Sequence, residues 1–402
     1  MPRRWLVLAH RWTGLFVAAF LVVAGSTGAV LAWSDDLEPL TAPRLFVTAA
    51  APSGVRPLDP LTLRERVAAA YPNAAVTMVP LDTLPGRTAG FFLSPLAGHS
   101  APADDEVFLD PVSGHIVGSR RWGDITQGTC NLLPFLLRLH YSLALGAVGE
   151  TAFGIVALLW TLDCFVGAWL TFPIRLSTAG SGAARKGWWS RWRPSWRMRL
   201  WSGGHKLTFD LHRAGGLWLW AFLLVFAWSS VDLTLRPVYR PLTRALLGYR
   251  DGYDALPERS GPETPGLSFR HGYLIARAAM VAELARRGQQ IRSEHRLSFD
   301  RAKRLFAYRV RASDDVSLTG DTTLYIDADS GRVAGGDMPV TGPAGNRVTT
   351  WIESLHTADA FGRGYRVIVS VVGAGVVLLS VTGLLIWRRK RRSGRRRRPD
   401  GR

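Results

Sequence analysis

Four of the nine histidines in this 402-residue chain recur at matched positions. His10 and His212 each stand three to five residues before a long apolar run, and His140 and His356 each stand eleven residues before another. Two imidazoles that face each other across a helical bundle can hold one haem iron axially. The spacing therefore predicts two pairs, His10 with His212 and His140 with His356, and two b-type haems. We expect both haems to be non-covalent, because the sequence has no C-x-x-C-H motif.

Other chemistries for these histidines are less well supported. No carboxylate or cysteine recurs beside them, which argues against a non-haem metal site. The plain alternative is that each is an amphipathic residue at a membrane interface. Arg11, Arg213 and Arg138 accompany the histidines and could pair with haem propionates. For Arg11 and Arg213, anchoring to the inner leaflet explains their positions equally well.

Four apolar runs must position these histidines. Each is long enough, or nearly so, to cross about 30 Å of hydrocarbon as a helix, which takes about 20 residues. Asp163 is the one ionisable residue inside the second run. If the helices continue outward from the second and fourth runs, His140 and His356 stand about 16 Å beyond them. The runs cover residues 15–33, 151–172, 215–231 and 367–387.

The positive charge of the chain predicts its orientation. The 50 Lys and Arg residues exceed the 31 Asp and Glu residues, and they cluster beside the apolar runs. This pattern favours a membrane surface over nucleic acid and places the basic flanks in the cytoplasm. Tryptophans among the central arginines (Trp188, Trp189, Trp192, Trp196, Trp201) are typical of a segment lying on the inner leaflet. The basic flanks contain Arg3, Arg4 and Arg11; Arg175, Arg185, Lys186, Arg191, Arg193, Arg197, Arg199 and Lys206; and Arg388–Arg392 with Arg395–Arg398.

The two segments expected outside the membrane carry the same hairpin. Residues 107–118 and 324–335 each read as an apolar strand, a D-x-x-S-G turn and a second short strand. Helical stretches at 61–70 and 273–287 precede them. Each half of the chain is therefore predicted to be span, small α+β unit, span. Such parallel repeats are related by a pseudo-two-fold axis along the membrane normal.

Asp163 and His205 are further candidate residues. Asp163 could relay protons, tune the inner haem, or bond Thr161 or Trp160. His205 shares a helix face with His212, but its counterpart in the first half is Arg3, so the repeat argues against a ligand role. No nucleotide-binding fingerprint is present, which leaves a quinol, a reduced flavin or a protein as the electron donor. The remaining histidines, His99, His115, His271 and His295, are expected to be surface residues.

The chain also resembles a known family. Residues 160–167 (WTLDCFVG), 210–218 (DLHRAGGLW) and 227–230 (AWSS) are similar to segments of the PepSY-associated transmembrane proteins, and the D-x-x-S-G units look like PepSY domains. This group of iron-regulated inner-membrane proteins includes ferric-siderophore reductases, and the resemblance covers residues 4–388. It implies a four-helix core, b-type haem held by the span histidines, and delivery of electrons to ferric iron in the periplasm.

The combined prediction is an integral membrane α-helical protein with four transmembrane helices, a duplicated two-helix repeat, and two small periplasmic PepSY-like α+β domains. Its function would be that of an oxidoreductase of the bacterial inner membrane that reduces a ferric siderophore or other ferric chelate. The rival is a non-enzymatic PepSY sensor, regulator or iron-uptake accessory protein. Membrane lipid is an expected partner, and nucleic acid is not. The segments are 1–33 (cytoplasmic N-terminus and first span), 34–139 (first periplasmic domain), 140–173 (second span), 174–211 (cytoplasmic loop), 212–232 (third span), 233–355 (second periplasmic domain), 356–387 (fourth span) and 388–402 (cytoplasmic tail).

Overall fold

The computed structural model describes residues 3–49, 54–174, 187–201 and 203–396. Among the basic flank residues, Arg175, Arg185, Lys186, Arg397 and Arg398 lie outside these ranges. The chain divides into two compact units. The first comprises Met1–Ala32, Leu137–Tyr239 and Arg363–Arg402, and the second comprises Trp33–Leu136 and Arg240–Gly362.

Helices and strands alternate in blocks along the chain. The α-helices are α1 (Arg3–Leu31), α2 (Ser34–Thr41), α3 (Pro43–Phe46), α4 (Pro60–Ala70), α5 (Leu132–Ser142), α6 (Gly146–Thr171), α7 (Trp188–Trp192), α8 (Gly204–Thr234), α9 (Arg236–Leu247), α10 (Phe269–Ala285), α11 (Ala344–His356) and α12 (Arg363–Arg396). The strands are β1 (Ala74–Val76), β2 (Met78–Pro80), β3 (Ala89–Pro95), β4 (Glu106–Leu109), β5 (Ile116–Arg120), β6 (Ile291–Asp300), β7 (Leu305–Ala312), β8 (Thr322–Asp327) and β9 (Val333–Asp337).

Four helices of the first unit, α1, α6, α8 and α12, are long and apolar enough to cross a membrane. They contain the four apolar runs, so the prediction of a four-helix membrane protein is confirmed. Each of α1 and α8 packs against both α6 and α12, which closes the four into a bundle. Lipid tails are as apolar as the helix surfaces, so close packing of small residues must hold such a bundle together.

A close backbone approach in this bundle joins α1 to α12 and involves two glycines. A Cβ added to Gly25 would lie 2.8 Å from the carbonyl oxygen of Gly373, and one added to Gly373 would lie 2.6 Å from that of Gly25. The offsets that relate His10 to His212 and His140 to His356 place Ala227 at the position of Gly25 and Ala157 at that of Gly373. Both alanines are buried, in α8 and α6. Small residues thus recur in register in the two halves.

In the second unit, two antiparallel sheets share one hydrophobic core with α4 and α10. The strand orders are β1-β3-β4-β5 and β2-β6-β7-β8-β9. Strand β2 comes from the first extramembrane segment but pairs with β6 of the second, with Val79 opposite Leu297. The core contains buried residues of both segments, including Phe91 and Phe306. The two segments therefore form one compact unit instead of the two separate domains that the sequence suggested.

The repeated D-x-x-S-G turns adopt the predicted geometry. The Asp110 carboxylate accepts hydrogen bonds from the Val112 amide and the Ser113 hydroxyl, and Gly114 follows at φ 71°. The Asp327 carboxylate accepts bonds from the Ser330 amide and hydroxyl in the same way. Partial burial opposes ionisation of both carboxyls, but these hydrogen bonds outweigh it and hold each pKa below its ordinary value.

The expectation that helices continue outward to the second histidine pair was wrong. His140 lies in α5, which ends at Ser142, and α6 begins only at Gly146. Leu143 and Ala144 adopt φ values of 52° and 57°, a left-handed conformation that an α-helix cannot include. His356 is likewise the last residue of α11, seven residues before α12 begins. Each of these histidines thus lies in the last turn of a short separate helix, so its distance from the span cannot be derived from the rise of one continuous helix.

Candidate functional site

His10 and His212 face each other inside the first unit. His10 lies on α1 and His212 on α8, and their ring centroids are 6.1 Å apart with the ring planes tilted by 54°. Imidazole nitrogen binds metals at about 2.0 Å, so two imidazoles on opposite sides of one ion have centroids roughly 6 Å apart. The pair that the sequence predicted is therefore brought together at the separation that axial ligation requires.

Both rings are oriented by a hydrogen bond at Nδ1. His10 Nδ1 lies 2.8 Å from Oδ1 of Asp163, and His212 Nδ1 lies 3.0 Å from the carbonyl oxygen of Leu379. The Thr382 hydroxyl is 3.2 Å from the same His212 nitrogen. Because carboxylate and carbonyl oxygens only accept, each Nδ1 is the donor in these bonds, and Nε2 is the nitrogen left to bind a metal. Neither Nε2 has a hydrogen-bond partner among the residues described, so both remain available as ligands.

Glycines leave space around the two rings. A Cβ on Gly167 would lie 3.3 Å from Cε1 of His10, and one on Gly383 would lie 3.1 Å from Cε1 of His212. Gly14 and Gly216 each stand four residues after a histidine, one turn along its helix. The nearest atoms to a Cβ on them, 4.0 and 3.9 Å away, belong to Asp163 and Leu379. The same pattern of histidine and two glycines thus surrounds each ring.

A cavity of about 460 Å³ opens at these residues and includes all four glycines in its wall. The rest of the wall is mainly apolar, with Trp160, Trp220 and Trp387 among its aromatic residues. Cationic side chains also line it: Arg3, Arg11, Arg213 and Lys390. Nε of Arg213 is buried and has no hydrogen-bond partner within the described part of the chain, although its Nη2 bonds Asp210 and the carbonyl of Pro194.

These features fit a haem. Two opposed imidazoles supply axial ligands, glycines leave room for a flat macrocycle, and an apolar wall with cations matches a ring that bears carboxylates. Arg11 and Arg213, which the sequence singled out, both line the cavity. No group of three or more His, Cys, Asp or Glu side chains able to hold a metal occurs among the described residues.

His140 is held at the end of the first span. Its Nδ1 is 2.9 Å from the hydroxyl of Thr27, which itself donates to the Val23 carbonyl. A Cβ on Gly28 would lie 3.0 Å from Cε1 of His140, so glycine again accommodates a ring. His140 belongs to the first unit and His356 to the second. Their pairing stays a prediction from the repeat, as does a role for Arg138, which lies on α5.

Two other groups have a simpler account. His205 is exposed in the first turn of α8, and it does not line the cavity. Cys130 and Cys164 are free thiols in different units, so no disulfide joins them. Asp163, by contrast, has a defined partner: its carboxylate bonds His10, whereas the Thr161 hydroxyl bonds the carbonyl of Ala157.

Sequence reasoning missed the glycines and the link from Asp163 to His10, although the repeat carried a signal for both. Gly14 corresponds to Gly216 at the 202-residue offset of the inner histidines. Gly167 corresponds to Gly383, and Asp163 to Leu379, at the 216-residue offset of the outer ones. A comparison of the two halves residue by residue therefore identifies them.

Comparison with known proteins identifies the family of the chain. No curated protein matches the chain. A family model described as the PepSY-associated TM region matches residues 7–390, nearly the whole chain. This range contains the histidine pair, nearly all of the four-helix bundle and the whole of the second unit. The chain therefore belongs to the PepSY-associated transmembrane family.

Proposed function

We propose that this protein is a haem-containing reductase of the bacterial inner membrane. It would pass electrons outward to ferric iron in a siderophore or another ferric chelate. The observation that carries the proposal is the His10–His212 pair, whose ring centroids are 6.1 Å apart at the wall of a mainly apolar cavity. Family membership supports a membrane protein of the PepSY-associated group, and the site supports the redox role.

Different residues of the bundle would bind the iron, orient the histidine rings and neutralise the propionates. A haem bound there would supply one-electron exchange between its ferric and ferrous forms. Nε2 of His10 and of His212 would bind the iron, while Asp163 and the Leu379 carbonyl fix the ring tautomers. Arg11 and Arg213 would neutralise the propionates. The mainly apolar wall would lower the local dielectric constant, which raises the influence of every nearby charge.

A second site completes the proposed path. On the evidence of the repeat, His140 and His356 would hold the outer haem. Reduction of the chelate consumes one electron for each Fe(III). Fe(II) binds oxygen-rich chelators more weakly than Fe(III) does, so reduction releases the iron. The donor on the cytoplasmic side is a quinol, a reduced flavin or a protein.

The pigment content of the purified protein tests the first half of the proposal. We expect Soret and α bands that shift with dithionite, and a pyridine haemochrome assay that gives about two b-type haems for each chain. His205→Ala is the matched control, since His205 is exposed on the same helix as His212. It should keep the full haem content. A colourless protein would instead support the non-enzymatic sensor.

Proteoliposomes test the second half. With a reductant enclosed and a ferric chelate supplied only outside, ferrozine outside should trap Fe(II) in oriented vesicles of the wild-type protein. Vesicles with the His212→Ala protein should trap Fe(II) at the rate of empty vesicles. A normal rate in that variant, with loss of the inner haem confirmed, would contradict the proposal.

A further inference from the structure

One difference between the two halves of the inner site lies next to the histidine rings and involves an ionisable residue. In the first half, the four residues compared are His10 and Gly14 on α1 and Asp163 and Gly167 on α6. In the second half the equivalent residues are histidine, glycine, leucine and glycine: His212, Gly216, Leu379 and Gly383. The first half therefore has an ionisable side chain at the position where the second half has an apolar one.

The exchange changes what His10 bonds. In the second half, the Leu379 side chain makes no bond to His212, whose Nδ1 donates to the backbone carbonyl and the Thr382 hydroxyl. In the first half, the side chain at the equivalent position makes the bond itself, at 2.8 Å from His10 Nδ1. The carboxyl side chain is only 11% exposed, so water screens its charge little. His10 therefore faces a carboxylate where His212 faces neutral oxygens.

We propose that Asp163 is a positioning residue that makes His10 the stronger electron donor of the pair and lowers the reduction potential of the inner haem. This inference rests on the proposed haem site. A carboxylate partner at Nδ1 gives the imidazole more anionic character, which increases its basicity toward a metal. The gain is larger for Fe(III) than for Fe(II), because the ferric ion has the higher charge. Asp163 therefore stabilises the oxidised form.

The effect would favour electron flow in one direction. His140, the first ligand proposed for the outer haem, has a neutral hydroxyl of Thr27 at its Nδ1. The carboxylate at His10 Nδ1 would lower the potential of the inner haem relative to a site with neutral partners at both histidines. A lower potential at the site of entry favours onward transfer of electrons to the outer haem.

Substitutions at position 163 separate charge from structure. Asp163→Asn keeps an oxygen that accepts from His10 Nδ1 but removes the charge. Asp163→Leu introduces the residue type that the second half has at the equivalent position, Leu379. Second-layer partners of metal-binding histidines typically change metal affinity by 10- to 100-fold. We expect at least a tenfold loss of preference for Fe(III), which raises the inner potential by about 59 mV for a one-electron couple.

Optical redox titration of the purified holoprotein measures this potential, and haem content is determined on the same samples. Both variants should retain two haems, raise the potential of the inner one and leave the outer one unchanged. Thr382→Val, which removes a neutral hydroxyl from His212, is the control and should shift the inner potential far less. Asp163→Glu keeps a carboxylate at this position and should therefore retain part of the low potential of the inner haem.

The outcomes distinguish the two proposals. Wild-type protein without haem would refute the proposed function itself. Haem-replete Asp163→Asn and Asp163→Leu proteins with an unchanged inner potential would refute only the role of Asp163. If Asp163→Leu loses the inner haem, the Asp163→Asn protein decides: a wild-type potential there would show that Asp163 acts through structure alone.

Discussion

The glycine beside His212 offers a sharp test of the cavity. Replacement of Gly383 by alanine would put a Cβ 3.1 Å from Cε1 of His212. Carbon atoms pack at about 3.5–4.0 Å, so the ring must retreat by roughly 0.4–0.9 Å. Functional groups of this kind need placement to within about 0.5 Å. We therefore expect Gly383→Ala to displace the ligand beyond its tolerance while the helix itself stays intact.

The size of the effect follows from the cost of overpacking, which is about 1–3 kcal/mol. If that cost opposes the ligating position of His212, haem affinity falls by about 5- to 150-fold. The intrinsic helical gain of alanine over glycine, about 0.8–1.0 kcal/mol, acts on the helix and not on the haem. The assay is haem loss to an excess of apomyoglobin, with thermal unfolding measured in parallel.

Gly215→Ala is the matched control for this prediction. It makes the same substitution on α8, three residues after His212, but its Cβ would lie 3.6 Å from Leu379 Cδ2, which is ordinary contact. The Gly215→Ala protein should release haem at the wild-type rate. Equal rates for Gly383→Ala, Gly215→Ala and wild type would refute the view that Gly383 makes room for a ligating ring.

Three more predictions concern other parts of the chain. Burial raises the pKa of the Asp321 carboxyl to about 6, aided by the nearby Asp315 and Glu353 and opposed by Arg309. The protonated carboxyl therefore contributes its full stability below about pH 3.8, and this contribution is lost as the pH rises through 6. Asp321→Asn should raise the unfolding temperature at pH 8 but not at pH 4, and an equal rise at both pH values would contradict this. His356→Ala should keep a reducible inner haem yet fail to reduce an external chelate; a wild-type ferrozine rate would show that iron is reduced elsewhere. In a cysteine-free background, a membrane-impermeant maleimide should label His99→Cys but not Ser393→Cys in intact cells, and the reverse pattern would invert the proposed orientation.

The sequence predicted those parts of the fold that depend on local pattern. Long apolar runs are sufficient to identify membrane helices, because hydrocarbon requires every backbone polar group to be satisfied within the helix. The D-x-x-S-G turns were predictable because an aspartate that bonds its own turn and a glycine at positive φ are short-range requirements. The inner histidine pair was predictable because duplication places equivalent residues at equivalent depths.

Long-range pairing was not predictable. Strand β2 is only three residues long, and nothing in Met78–Pro80 indicates that it pairs with β6 more than 200 residues later. The break after α5 uses the non-glycine residues Leu143 and Ala144 at positive φ, which carry no turn signal in sequence. The bond from Asp163 to His10 depends on the rotation of α6 about its axis, which packing sets.

Haem counts in single and double variants test the central claim, that His10 and His212 bind one haem between them. If they are two ligands of one iron, His10→Ala and His212→Ala should each reduce the haem content from about two to about one. The double variant should also retain about one, with the remaining haem still reducible. A double variant with no haem, after single variants that each lose one, would show that the two histidines serve different haems and would contradict the account.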